Sequence, residues 1–127
     1  MPLLTIKSTA VFIAISWFAF VTFLLCIPGK KLPLIWWVGL FQVDKLVHII
    51  LFFILCLLIC RATFLINKTQ QWFWGIALIC SLYGVGMEFV QENFIENRAF
   101  DVWDIVADTI GSFSFLVYLN LKPQFFK

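Results

Sequence analysis

The sequence predicts an all-α polytopic membrane protein, with four transmembrane helices in a compact bundle and an interfacial segment between the first and second helices. Three observations carry this. Hydrophobic residues make up 63% of the 127-residue chain and charged residues only 13%, against roughly half and a quarter in ordinary soluble domains. The apolar residues gather into four runs of about 20, the length a helix rising about 1.5 Å per residue needs to cross roughly 30 Å of hydrocarbon. Turn residues separate the runs, and few charges interrupt them. The chain therefore reads as one transmembrane domain over residues 1–127.

The first run, residues 8–27, ends at Pro28-Gly29, which cannot continue a helix. Lys7 ahead of it gives the look of a signal peptide. The run is too long for one and lacks a small-x-small cleavage pattern before Pro28, so a retained span is expected. Residues 30–43 are apolar at Leu34-Ile35-Trp36-Trp37-Val38 yet too short to cross, and are expected to lie in the interface. A re-entrant turn there would need protein partners for its backbone polar groups. The second run, 44–66, is closed by Asn67-Lys68-Thr69. The third, 71–94, opens with Trp72 and Trp74, residues that favour the headgroup level. The fourth, 101–121, stops before Pro123.

A net charge of +2 and no basic cluster longer than Lys30-Lys31 argue against nucleic acid as a partner. Cys26, Cys56, Cys60 and Cys80 all lie in apolar runs. Cys56 and Cys60 are four apart on one helix face, a poor geometry for a disulfide, so the thiols read as small packing residues.

Four spans put both termini on one side, with Lys7, Arg61, Lys68, Lys122 and Lys127. Lys30, Lys31, Lys45 and Arg98 fall on the other. Lys45 and Arg98 stand among carboxylates that can pin them; without these two the bias favours cytoplasmic termini.

Every acid falls in one of two short stretches: Asp44 in the first, and Glu88, Glu92, Glu96, Asp101, Asp104 and Asp108 in the second. Four spans bring both stretches to the membrane face opposite the termini, the external one if the termini are cytoplasmic. Asp44 and His48 share a helix face, as do Glu88, Gln91 and Glu92. Asp101, Asp104, Asp108 and Gly111 form a third stripe that descends about 10 Å or more into the bilayer. Helix-dipole stabilisation accounts for Asp101 but does not reach Asp108, which needs a partner or a proton. Gly111 continues this face and allows a neighbouring helix to approach closely.

One reading of the constellation is a polar clamp, with Arg98 pairing with Glu88 or Asp104, Lys45 with Asp101, and His48 with Gln91. Against it, seven acids face only Lys45 and Arg98 as fixed cations in these stretches. Such an excess points to a bound cation or a proton-dependent step. The residues suited to hold a divalent cation are Asp44, His48, Glu88, Asp101 and Asp104, a carboxylate-rich set that favours Mg²⁺, Ca²⁺ or Mn²⁺ over zinc. Asp44, Lys45, His48, Glu88, Gln91, Arg98, Asp101, Asp104 and Asp108 make up the candidate binding pocket. Asp44, His48, Glu88, Gln91, Arg98, Asp101 and Asp104 are expected to enclose one cavity open to the surface.

Asp44-Lys45-x-x-His48 opening one span, Glu88-x-x-Gln91 ending the next, and Arg98-x-x-Asp101-x-x-Asp104 leading to Gly111 in the last are similar to the pattern of VanZ-like membrane proteins. The resemblance covers about residues 43–119. Asp108 departs from it, since many relatives carry Asn there. The resemblance implies a small, multi-pass protein of the bacterial inner membrane, its polar constellation near one surface. The family's namesake is linked to low-level resistance to teicoplanin, a lipid-tailed glycopeptide. Most relatives are not tied to antibiotic clusters, so resistance is not expected as this protein's own role.

Three functions stay open at this point. The first is a cell-envelope protein that binds an amphiphile, a lipid-linked envelope precursor or a partner membrane protein, with Lys45, Arg98 and His48 meeting an anionic headgroup. The second is a membrane-embedded enzyme acting on a lipid phosphate or diphosphate. Its catalytic candidates are His48, Glu88, Asp101 and Asp104, and a divalent cation is its expected cofactor. The third is proton-coupled transport through Asp108 or Glu88, for which four helices are few unless the protein oligomerises.

Overall fold

The computed structural model describes residues 2–28, 41–63 and 69–122. Within them lie four helices: α1 (Pro2–Leu25), α2 (Phe41–Thr63), α3 (Gln70–Phe94) and α4 (Val102–Leu121). All four are long and apolar enough to cross a membrane, so the chain is a multi-pass membrane protein whose spans pack as a bundle.

The helix ends refine the sequence boundaries. α1 starts at Pro2 rather than residue 8, because proline suits the first helical position and Lys7 does not interrupt a helix. It stops at Leu25, where the Cys26 N–H turns back to the Thr22 carbonyl at 3.0 Å. α2 begins at Phe41, so residues 41–43 of the expected interfacial segment form its first turn. The remainder of that segment, and the Asn67-Lys68 closure, lie outside the described residues. Thr69 caps α3, its hydroxyl accepting from the Trp72 N–H at 3.3 Å. After α3 the chain turns through Asn97 at φ 59°, a left-handed conformation that asparagine tolerates. Asp101 is the N-cap of α4 rather than its first residue.

Packing follows the distribution of small and polar residues. α4 makes its largest contact with α2 and the next with α3, while α1 leans chiefly on α2. The buried stripe of α4 is Asp104, Ala107, Asp108, Gly111, Ser112, Phe115, Leu116 and Leu119. That of α3 is Ile76, Ala77, Cys80, Ser81, Gly84, Met87, Glu88 and Gln91. Both stripes have the spacing of one helix face, and both run from apolar at one end to charged at the other. The apolar end closes around Phe52, Leu55, Cys56, Cys60 and Phe115, and the cysteines are free thiols. Gly111 lies against the backbone of Ile49, where a Cβ would stand only 3.0 Å from its Cα and carbonyl carbon. That closeness is what lets α2 and α4 pack as they do.

Candidate functional site

Because successive helices alternate in direction, the C-terminal ends of α1 and α3 share one end of the bundle with the N-terminal ends of α2 and α4. The charged residues concentrate there. Lys45, in the second turn of α2, reaches across to α4, donating to Asp101 Oδ2 at 2.6 Å and to Asp104 Oδ1, with Asp44 Oδ2 at 3.4 Å on its outer side. Exposure falls from 54% at the Asp44 side chain to 8% at Asp104, so the cluster runs from the surface inward. Asp101 is also tied locally: its Oδ1 accepts from the Trp103 N–H at 2.8 Å, and its own N–H donates to Glu88 Oε2 at 2.9 Å. Partial burial works to raise the Asp101 carboxyl. The Lys45 ammonium and the Trp103 N–H outweigh it and hold the group below its ordinary 3.8.

One turn below Lys45, His48 is almost fully enclosed. Its Nδ1 and Asp108 Oδ1 share a hydrogen bond of 2.8 Å, and its Nε2 points toward Asp104 Oδ2 at 3.9 Å. Gly84 of α3 makes room for this pair: a Cβ there would lie 2.7 Å from Asp108 Oδ2 and 2.9 Å from Asp108 Cβ. Asp108 thus obtains the partner its depth demands, and that partner is an imidazole from α2.

Gln91 and Arg98 occupy a different place. The Gln91 amide donates to the Leu25 carbonyl at 2.8 Å and the Arg98 Nε to the Ile27 carbonyl at 3.2 Å. The Leu25 carbonyl is the last of α1, whose terminal carbonyls lack intrahelical partners, and Ile27 lies two residues beyond it. This corrects the expected pairing of Arg98 with Glu88 or Asp104 and of His48 with Gln91, whereas Lys45 does pair with Asp101. Backbone carbonyls give no sequence signal, so nothing in the spacing could have marked Leu25 and Ile27 as acceptors.

The structure therefore brings Asp44, Lys45, His48, Glu88, Asp101, Asp104 and Asp108 into one connected cluster at the polar ends of α2, α3 and α4, while Gln91 and Arg98 bond instead to the chain at the close of α1. Lys45 and His48 join the aspartates side chain to side chain, and Glu88 enters through the Asp101 N–H. A cavity of about 350 Å³ lies toward the opposite end of the bundle, between α2 and α3, lined by Ile59, Thr69, Gln71, Trp72, Gly75, Ile76, Ile79 and Cys80. At that end the Trp72 indole also donates to the Thr63 hydroxyl at 2.9 Å, tying the close of α2 to the start of α3. Sequence spacing gave no warning of this cavity, since its walls are ordinary span residues.

The class defined by these features is a four-helix membrane bundle with an acidic cluster, partly open at Asp44, at one end. Compared with family models, curated proteins and solved structures, the chain gives no match in any of the three.

Proposed function

We propose that the protein is a VanZ-like membrane protein of the bacterial cell envelope that holds the headgroup of an amphiphile, or of a lipid-linked envelope component, at its polar end. On this reading it sits in the inner membrane with cytoplasmic termini, and the cluster faces outward. One observation carries the proposal: a cluster that grades from exposed Asp44 to buried Asp108 and is flanked on the same helices by exposed apolar Val47, Ile50, Val106 and Ile110. That juxtaposition suits a molecule with a polar head and a lipid tail.

The charge accounting changes the kind of headgroup expected. Lys45 is engaged by Asp101, Asp104 and Asp44, so it does not stand ready for an anion. What the mouth presents is carboxylate oxygen. The matching headgroup carries amines or hydroxyls that donate to it.

Mass spectrometry of lipids retained by the purified chain tests this. The expected result is one species enriched over the surrounding membrane and lost in the double variant Asp44→Asn, Asp101→Asn. A retained-lipid profile identical to the bulk membrane in both proteins would overturn the reading.

A further inference from the structure

His48 and the acids around it have an arrangement that the clamp alone does not use. The imidazole side chain is 6% exposed, and its Nδ1 is held by Asp108. Its Nε2 makes no hydrogen bond among the described residues and faces Asp104 Oδ2 across 3.9 Å. That gap is too wide for a hydrogen bond. Two ligands each about 2.1 Å from one ion, at angles of about 110° to 140°, stand about 3.4 to 3.9 Å apart.

Asp44 completes the set from the surface side: one ligand atom from each of Asp44, His48 and Asp104 lies within 4.8 Å of the others. Asp44 is the solvent-exposed member of the set, through which an ion would enter. Asp104 divides its oxygens, with Oδ1 on Lys45 and Oδ2 toward His48, so the ammonium need not leave for an ion to enter. Asp108 stands as the carboxylate that fixes ring orientation and tautomer in imidazole–metal sites.

We propose that His48 Nε2, Asp104 Oδ2 and an Asp44 oxygen form a binding site for a divalent first-row metal ion, with Asp108 as the residue that positions the imidazole. The donor set of one nitrogen and two carboxylates points to Mn²⁺ or Zn²⁺ rather than Mg²⁺ or Ca²⁺, since imidazole is a poor ligand for the harder ions. Charge supports an added cation: Asp44, Asp101, Asp104 and Asp108 surround Lys45 and one imidazole. The site shares the polar end with the proposed headgroup but does not depend on the identity of any lipid.

The test uses the full chain in nanodiscs, stripped with chelator, and reads metal alone. Titration with Mn²⁺, followed by loss of the free-ion EPR signal, and with Zn²⁺, followed by competition with a chromophoric chelator, should show one ion per chain. Pulsed EPR of bound Mn²⁺ should show coupling to an imidazole nitrogen. Asp44→Asn, at an exposed position that leaves the fold intact, should weaken binding about tenfold or more, and Asp108→Asn about 10- to 100-fold. Absence of stoichiometric binding would overturn the proposal and leave His48 as a structural link between Asp104 and Asp108. Binding that lacks the nitrogen coupling, or that Asp44→Asn does not alter, would overturn it equally. Lipid retention is a separate readout, so either proposal can fail without the other.

Discussion

Lys45 decides the electrostatics of the polar end, because one ammonium serves carboxylates on two helices. Its tie to Asp101 gives stability a definite acid limit. The Asp101 carboxyl is held below 3.8 in the folded protein, so the unfolded chain binds its proton first as pH falls. The stabilisation is complete above the unfolded value and drains away as pH drops through the lower, folded one. The thermal unfolding temperature should therefore fall below about pH 4, and Asp101→Asn should be less stable at neutral pH with a smaller acid-dependent fall. An unchanged acid profile in Asp101→Asn would place the effect elsewhere. Ser112 makes the opposite prediction. Its hydroxyl is fully enclosed and has no hydrogen-bond partner among the described residues, with the weakly polar Cys56 thiol beside it. Ser112→Ala removes a buried polar atom without orphaning another, so unfolding should show no loss and a gain of up to about 1 kcal/mol.

At the level of the helices, glycine separates contacts that must be close from positions that are merely small. Gly111→Ala would drive a methyl into the Ile49 backbone, which cannot rotate away. The α2–α4 spacing must open, at about 1 to 3 kcal/mol. Gly86 has nothing within 4 Å of the same added atom, and Gly86→Ala should cost nothing and gain up to about 1 kcal/mol of helix propensity. Equal unfolding temperatures for the two variants would remove the argument for a close α2–α4 crossing. Sequence spacing made the Gly111 face legible, along with the shared faces of Asp44 with His48 and of Asp101 with Asp104. It could not say which residues of one helix meet which of another. Intrahelical periodicity fixes a face, whereas depth and rotation against the neighbour come from packing. His48 therefore meets Asp108 rather than Gln91. The helix starts at Pro2 and Phe41 were hidden for a related reason: charged or aromatic residues at a membrane boundary mark the edge of the hydrocarbon, and a helix can continue past that edge.

For the whole bundle, α1 is the weakest attachment, and the polar end is where it is fastened. It is the least buried of the four spans and packs chiefly on α2. In its C-terminal half the Trp17 indole donates to the Leu51 carbonyl at 3.2 Å, and in its last turn the Thr22 and Tyr83 hydroxyls meet at 2.6 Å. Its C-terminal end is held by the Gln91 and Arg98 bonds to Leu25 and Ile27. Had Arg98 been the sole cation on a buried carboxylate, Arg98→Ala would cost about 3 to 5 kcal/mol. Its observed acceptor is a carbonyl, and the expected cost falls to about 1.5 to 3 kcal/mol. Gln91→Leu, which leaves the Leu25 carbonyl buried without its donor, should cost about 1 to 3 kcal/mol. Since both side chains fasten one helix end, the first loss should already loosen what the second holds. The double variant should then be destabilised by less than the sum of the two, and hydrogen exchange in nanodiscs should rise at the C-terminal turns of α1 before it rises in α4. Strict additivity would mean that the two bonds act on independent parts of the chain, and α1 would have to be held chiefly by its contact with α2.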